Sequence, residues 1–167
     1  MSNKTQITAV DGTTSIEVMR EFEADRARVF AAYVDPELVQ RWLGPRRLTM
    51  RIREWQARPG GAWSYLHSGE CEAGQEVPEY GFRGVFHDIV DDERIVQTFE
   101  FEGAPGHVSL EVARFEDAGP GRTKVFSRSV FETVEARDGM VAGGMSEGVS
   151  QSMDRLEELL AATAARA

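Results

Sequence analysis

The sequence has little cysteine, no basic run and no long apolar stretch. Cys71 is the only cysteine among 167 residues, so an intrachain disulfide framework is excluded and a reducing, cytoplasmic location is expected. No segment approaches the roughly 20 apolar residues of a membrane-spanning helix, and no apolar core of signal-peptide length opens the chain. The net charge of −9 disfavours binding to nucleic acids and to anionic membrane surfaces. We therefore expect no nucleic-acid partner and no membrane insertion.

Signatures of metal binding and phosphate binding are also missing from the sequence. The histidines His67, His87 and His107 have no metal-ligand spacing to one another or to Cys71, so neither a metal nor a cofactor is expected. The glycines of "RPGG" (58–61) precede a predicted strand instead of a helix, which indicates a turn and not a phosphate-binding loop. Cys71 lies in a polar loop and is predicted to be a free surface thiol.

The composition, with 41% hydrophobic and 28% charged residues, is typical of a soluble globular protein. The length fits one domain, which we place at residues 16–163. Residues 1–15 form a polar N-terminal segment that is expected to be loosely held. Beyond it, Ile16, Val18 and Phe22 alternate with polar residues, which predicts a strand with one buried face.

Two short helices are predicted after this first strand. Asp25 is predicted to cap the first helix and Asp35 to cap the second, with Pro36 in the first turn of the second helix. Strands are then predicted over 48–55, 63–67, 80–90, 95–101, 108–115 and 123–131, followed by a long helix from Arg137 to about Thr163. Hairpin-length connections indicate an antiparallel sheet. The predicted fold is α+β, with the helices on one side of the sheet.

Strand parity assigns side chains to faces of the sheet. In three of the predicted strands, aromatic residues alternate so that they share one face. These sets, with the polar residues of the same parity, are Trp63, Tyr65 and His67; Tyr80, Phe82 and Phe86; and Gln97, Phe99 and Phe101. Val108, Leu110 and Val112 form one face of the next strand. Gln97 and Glu54 have a parity that allows them to face inward, whereas His87 is expected to face outward.

The C-terminal helix begins with glycines, in "GGMSEGVSQSMDRLEELL" (143–160). Each glycine inside a helix costs roughly 1 kcal/mol relative to alanine, so a reason for them is needed. One interpretation is that Gly143 or Gly144 lies in a loose first turn or allows close contact with a strand. The other is that small residues leave space between helix and sheet. In that case the residues facing the space line a cavity instead of filling a core.

Four segments carry a resemblance to a known family: "REFEADRARVFAAYVDPELVQRWLGP" (20–45), "RPGGAWSY" (58–65), "YGFRGVFHDIVDDERIVQTFEFEG" (80–103) and "GMSEGVSQSMDRLEELL" (144–160). Together they resemble the family of homologues of the heat-shock protein 90 ATPase activator, within the START-like (SRPBCC, helix-grip) superfamily. The resemblance extends from Ile16 to Leu160. The chain departs from the family pattern at two positions. Asp25 stands where the family often has proline, and Leu43 stands where a second tryptophan commonly follows Trp42.

The resemblance implies a curved antiparallel β-sheet wrapped around a long C-terminal helix, with two short helices after the first strand. It also implies an apolar cavity between sheet and helix, with residues 140–145 as a rim. It does not imply one particular reaction, because the superfamily includes binding proteins, enzymes and co-chaperones. The expected ligand-binding residues are Trp42, Trp63, Tyr65, His67, Phe82, Gln97, Phe99, Phe101, Met140, Gly144, Met145, Gly148 and Val149.

Three functions follow as hypotheses. The favoured one is binding of a small hydrophobic or amphipathic molecule in the cavity. The alternatives are a cyclase- or hydrolase-like enzyme, which needs a polar group inside the cavity, and a chaperone cofactor, which is the least favoured. A homodimer is the default expectation for oligomeric state, because cyclic dimers are the commonest oligomers.

Overall fold

An eight-stranded antiparallel sheet forms the frame of the molecule in the computed structural model, which describes residues 4–70, 73–75 and 78–164. In chain order the strands are β1 (Gln6–Ala9), β2 (Ser15–Phe22), β3 (Leu48–Trp55), β4 (Ala62–Gly69), β5 (Glu79–Val90), β6 (Arg94–Phe101), β7 (Val108–Asp117) and β8 (Thr123–Val130). Their spatial order is β1-β2-β8-β7-β6-β5-β4-β3. Cys71 lies outside the described residues, so its predicted exposure stays a prediction.

The helices are α1 (Arg26–Val34), α2 (Pro36–Trp42), α3 (Val134–Ala142) and α4 (Met145–Ala164). The side chain of Asp35 accepts a hydrogen bond of 2.8 Å from the Glu37 amide, so the predicted cap of α2 is present. Asp25 occupies the N-cap position of α1, but within the described residues its side chain accepts no capping hydrogen bond. Helix α4 buries Met153, Leu156, Leu159 and Leu160 in the same core as residues of the sheet. The predicted α+β helix-grip fold is thereby confirmed.

The C-terminal helix differs from the prediction, because it is broken at Gly143 and Gly144. Helix α3 starts before the predicted Arg137, where the Thr133 hydroxyl accepts a hydrogen bond of 3.0 Å from the Ala136 amide. Gly144 has a φ of +87°, which L-residues adopt with difficulty and which commonly ends a helix. A Cβ atom built at Gly144 or Gly148 meets nothing within 4 Å. Close contact with a strand is therefore not the reason for these glycines.

The N-terminal segment also differs from the prediction over part of its length. Gln6–Ala9 form strand β1 at the edge of the sheet, where Gln6 is paired with Met19 and Ala9 with Ile16. This strand has four residues, most of them exposed. Because backbone pairing and not burial holds it, no hydrophobic alternation predicted it.

Two arginines fix α4 to the rest of the molecule. Arg20, on β2 and only 4% exposed, donates hydrogen bonds of 2.6 Å to Asp154 and 2.5 Å to Glu157. Arg155 donates to the carbonyl oxygens of Gly44 and Arg41 at 2.9 and 3.0 Å. These contacts fix the helix against both β2 and the end of α2, so the space under its first turns has rigid boundaries.

Candidate functional site

Two cavities lie between the inner face of the sheet and the C-terminal helices. The inner cavity, about 190 Å³, lies under the start of α4; its lining includes Tyr33, Trp42, Trp55, Ile95, Gln97, Glu111, Ser127, Ser129, Met145, Val149 and Met153. The outer cavity, about 480 Å³, lies under α3; its lining includes Phe99, Phe101, Ala104, His107, Ser109, Phe131, Glu132, Glu135, Ala136, Gly139 and Met140.

The two cavities are neighbours along strands β6 and β7. Phe99 is opposed to Ser109 in the outer cavity, and the next inward-facing pair, Gln97 and Glu111, lies in the inner cavity. Two residues along a strand span about 7 Å. The helix break follows the same division, because Met140 of α3 lines the outer cavity and Met145 of α4 lines the inner one. The two cavities are therefore adjacent beneath the two C-terminal helices.

Glu111 is the charged group of the inner cavity. The Gln97 side-chain amide donates a hydrogen bond of 3.0 Å to one carboxyl oxygen, and the Ser129 hydroxyl donates one of 3.4 Å to the other. Burial raises the pKa of the Glu111 carboxyl, and these two hydrogen bonds oppose that shift only in part. A carboxyl with a raised pKa at a cavity is a candidate functional group, because it keeps its proton to a higher pH than an exposed carboxyl does.

Aromatic side chains form much of the inner wall. The indole N–H of Trp42 donates to the Ala32 carbonyl at 2.8 Å, and that of Trp55 donates to the Val34 carbonyl at the same distance. Both rings are thereby fixed, and their N–H groups are satisfied by backbone. The Tyr33 hydroxyl lies 3.9 Å from the sulfur of Met153. The wall is thus apolar and rigid except for its methionines.

The structure divides the predicted ligand-binding residues into three groups. Trp42, Gln97, Met145 and Val149 line the inner cavity, and Phe99, Phe101 and Met140 line the outer one. Gly144 and Gly148 line neither. The remaining residues, Trp63, Tyr65, His67 and Phe82, form a cluster of aromatic rings beside the cavities, with centroid distances of 5.4 Å from Trp63 to Tyr65 and 5.3 Å from Tyr65 to Phe82.

Tyr65 connects this aromatic cluster electrostatically to the inner cavity. Burial raises the pKa of the Tyr65 hydroxyl, and the negative charge of Glu111 raises it further. Both effects favour the neutral form of the Tyr65 hydroxyl.

His67 has a structural role in this arrangement. It is 5% exposed, and its Nε2 atom lies 3.2 Å from the Leu43 carbonyl. Burial lowers the pKa of His67, the Leu43 hydrogen bond opposes that shift, and the charge of Arg155 adds to it. A Cβ at Gly44 would lie 2.6 Å from Nε2, so the glycine allows the imidazole to support the loop that follows α2.

The other predicted polar candidates face outward. Glu54 is exposed, contrary to expectation, because an irregularity between Ile52 and Glu54 in the pairing of β3 with β4 changes the parity of the strand. His87 is exposed, as predicted. His107 is exposed and forms an ion pair with Glu132 beside the outer cavity.

Glu111 was missed by sequence reasoning because the apolar face of β7 is the outer one. Val108 and Leu110 are 43% and 44% exposed, whereas Ser109, Glu111 and Ala113 face the cavities. The sequence nevertheless contains a pattern that marks this face of the sheet. Ser109 and Ala113 alternate on β7, and Ser127 and Ser129 alternate on β8, where they are opposed to Ala113 and Glu111. Small side chains on adjacent strands leave room for a ligand.

Within the described residues, no group of three or more His, Cys, Asp and Glu side chains has a metal-binding arrangement. No helix of the described chain is both long enough and apolar enough to cross a bilayer. The side chains that line the cavities can supply hydrogen bonds, apolar contact and, through the Glu111 carboxyl, a proton.

Comparison with known proteins gives one family and many related folds. The sequence model of the family described as "Activator of Hsp90 ATPase homolog 1-like protein" matches residues 23–161. No curated protein matches the chain.

Three similar solved structures cover nearly all of this chain. A protein of Rhodobacter sphaeroides has 23% identity and a TM-score of 0.83, over 96% of this chain and 99% of that one. A protein of Arthrobacter aurescens has 24% identity and a TM-score of 0.82, over 93% and 91%. One from Mycobacterium smegmatis has 21% identity and a TM-score of 0.82, over 94% and 96%. Likeness at these identities shows the fold alone.

Proposed function

Since the chain belongs to the activator of Hsp90 ATPase homolog 1-like family, whose fold is consistent with a ligand-binding domain, we propose that it binds one small amphipathic molecule. The apolar part of the molecule occupies the outer cavity under α3. Its polar end reaches the inner cavity under α4, where Glu111 and Gln97 hold it. This proposal extends the family's fold to a defined pair of cavities in this chain.

The observation that carries the proposal is the Glu111 carboxyl, buried beside an empty space. A polar group removed from water is costly unless hydrogen bonds replace those it lost. An ionised carboxylate has about four acceptor positions, and within the described residues Glu111 receives two hydrogen bonds, from Gln97 and Ser129. Glu111 also lines the inner cavity, so a polar group of a ligand there can supply further hydrogen bonds.

The size and polarity of the outer cavity support the apolar half of the proposal. Its volume of about 480 Å³ lies within the roughly 300–1,000 Å³ typical of small-molecule sites. Phe99, Phe101, Phe131 and Met140 supply aromatic and flexible apolar surface. Burial of a hydrocarbon group there gains about 0.8 kcal/mol for each methylene removed from water.

Two glycines make a matched test of the proposal. Gly139 and Gly148 both lie inside helices, and a Cβ atom at either meets nothing within 4 Å. Gly139 lines the outer cavity on the same helix face as Ala136 and Met140, whereas Gly148 lines neither cavity. Gly139→Leu should therefore fill the site, and Gly148→Leu should not. Both changes improve helix propensity by up to about 1 kcal/mol, so neither is expected to unfold the protein.

The experiment titrates the neutral fluorescent dye N-phenyl-1-naphthylamine into the wild type and both variants. We expect the Gly139→Leu variant to bind the dye at least about tenfold more weakly, and the Gly148→Leu variant to bind like the wild type. Thermal denaturation checks that all three proteins are equally folded. Failure of the wild type to bind the dye, or equal losses in both variants, would contradict the proposal.

A second function, acid–base catalysis on the bound molecule, is favoured by one specific observation. Glu111 lines the inner cavity, and burial raises the pKa of its carboxyl. A carboxyl with a raised pKa in a cavity can donate a proton to a bound ligand.

Catalysis is distinguished from binding by comparing metabolite mixtures incubated with the wild type and with Glu111→Gln by mass spectrometry. A compound that the wild type converts and the variant only binds would establish catalysis. Identical mixtures after both incubations would leave binding as the sole function.

A further inference from the structure

The inner cavity contains a carboxyl but no cation. Among the described residues that line it, none is lysine, arginine or histidine, and Glu111 is the only acidic one. The two side chains that donate hydrogen bonds to Glu111, those of Gln97 and Ser129, are neutral. An ionised Glu111 therefore lacks a countercharge in its own site.

The side chains of Arg20, Arg137 and Arg155 do not supply that countercharge, because each donates its hydrogen bonds to other groups. Arg20 donates to Asp154 and Glu157. Arg137 donates to backbone carbonyls in the turn between β1 and β2 and to its neighbour Asp138. Arg155 donates to the backbone at the end of α2. A positive charge for Glu111 has to come from the ligand.

The surroundings of the carboxyl also suit a cation. Tyr33, Trp42 and Trp55 line the same cavity, and aromatic rings attract cations that lie within about 6 Å of their centres. The outer cavity has Glu132 and Glu135 in its lining, and its only basic residue, His107, is paired with Glu132. The net charge of −9 draws cations toward the protein and repels anions.

Resting on the proposed function of the same cavities, we infer that the ligand is an amphipathic amine. Its ammonium group lies in the inner cavity, and its hydrocarbon part lies in the outer one. An ammonium carries three hydrogen-bond donors and no acceptor. The Glu111 carboxylate accepts one of them, and the Gln97 carbonyl oxygen is free to accept another because the Gln97 amide nitrogen already donates to Glu111. Hydroxyl oxygens of Ser127 and Ser129 line the same space.

Ligands of other charge fit this site less well. An alcohol of equal length leaves the carboxylate without a countercharge, so Glu111 has to stay protonated to be accommodated. A fatty acid brings a second negative charge beside Glu111, which is unfavourable in a space of low dielectric constant. Of these three ligands, only the amine both balances the charge of Glu111 and donates hydrogen bonds to the acceptors in the inner cavity.

The test compares three probes of one chain length, octylamine, 1-octanol and octanoate, by displacement of N-phenyl-1-naphthylamine at pH 7.5. For the wild type we expect octylamine to bind at least about tenfold more tightly than 1-octanol, and octanoate to bind most weakly. In Glu111→Gln the preference for the amine should disappear, while 1-octanol binding should be retained. This comparison in the wild type decides the matter even if the variant folds poorly.

Glu116→Gln is the matched control, because Glu116 lies on the same strand but is exposed. It removes the same charge from the protein outside the cavities and should keep the preference for the amine. Equal binding of octylamine and 1-octanol by the wild type, or equal loss of preference in both variants, overturns the amine assignment and leaves cavity binding standing. Binding of neither the dye nor any octyl probe overturns the proposed function itself.

Discussion

Gln97 and Glu111 are directly opposed on strands β6 and β7, and the Gln97 amide donates a hydrogen bond of 3.0 Å to the Glu111 carboxyl. On the other side of β7, Glu111 is opposed to Ser129 of β8, whose hydroxyl lies 3.4 Å from the second carboxyl oxygen. Three adjacent strands therefore hold one carboxyl in a fixed position at the inner cavity.

Replacement of Glu111 by glutamine should make the protein more stable at neutral pH. In the folded wild type the pKa of Glu111 is raised above its ordinary value of 4.5 by burial, so the folded state keeps a proton that the unfolded chain releases. The free energy of unfolding therefore falls as pH rises above about 4.5. Glu111→Gln removes this decline, and its advantage over the wild type should grow with pH.

Urea denaturation between pH 4.5 and pH 8 measures this advantage. Glu116→Gln, an exposed carboxyl on the same strand, serves as the control for loss of one charge. A stability difference that stays constant with pH, or that shrinks as pH rises, would show that Glu111 titrates normally in the folded protein.

His67 should have the opposite effect on the pH dependence of stability. Burial lowers the pKa of His67 from its ordinary value of 6.5, so below that pH the unfolded chain binds a proton that the folded state refuses. The free energy of unfolding of the wild type therefore falls as pH drops below about 6.5. His67→Gln, which keeps a donor for the Leu43 carbonyl, should lose this acid sensitivity. The control variant His87→Gln, at an exposed position, should keep this acid sensitivity. If the free energy of unfolding of His67→Gln still falls below about pH 6.5 as in the wild type, His67 is not the residue responsible.

Gly144 and Gly148 should respond differently to alanine. Gly144 has a φ of +87°, where an L-residue costs about 1–2 kcal/mol, so Gly144→Ala should lower the free energy of unfolding by that amount. Gly148 lies within α4 with open space at its Cβ position, so Gly148→Ala should raise it by up to about 1 kcal/mol. Chemical denaturation of both variants checks the signs, and a shift in the same direction for both would refute the helix break as described.

Arg137 should control the opening of α3 over the outer cavity. It is the buried residue of α3, and its guanidinium donates to the carbonyls of Val10, at 2.9 Å, and Thr13. Arg137→Met keeps the aliphatic bulk but removes these donors. Amide hydrogen exchange in residues 134–142 should accelerate at least about tenfold, while exchange in α4 stays as in the wild type.

Asp138→Asn is the control for this change, because it alters the neighbouring ion pair and leaves the carbonyl contacts of Arg137 intact. Its α3 amides should exchange at the wild-type rate. If Arg137→Met leaves α3 protection unchanged, other contacts hold the helix over the cavity.

The fold was predictable because its signals are local. Alternation beginning at Ile16, the Asp35–Pro36 cap and hairpin-length turns each act over a few residues, and together they specify one antiparallel sheet with helices on one side. The break between α3 and α4 was the exception. Its signal, the glycine pair 143–144, was visible, but periodicity on both sides of the pair favoured one continuous helix.

The candidate site was predictable only in part, because parity fails where a strand is irregular or where a cavity replaces a core. Glu54 changed faces through the irregularity next to Ile52. Glu111 faces inward although its strand exposes Val108 and Leu110 to solvent. Hydrophobic patterns in a sequence predict which residues pack in the core. They do not identify the residues that line a cavity, which here include serine, alanine and a single acidic residue.

The inverted alternation of β7 has a consequence for how the chain finds its fold. A slip of one residue would bury Val108 and Leu110 and expel Glu111, so hydrophobic preference within this segment opposes the observed register. Phe115, 2% exposed, holds the register from the far end of the strand, with its ring 5.3 Å from that of Phe30 and 5.0 Å from that of Tyr33. Strand β7 is thus locally frustrated. Its register is fixed by the packing of Phe115 against Phe30 and Tyr33, which lies outside the segment that contains Glu111.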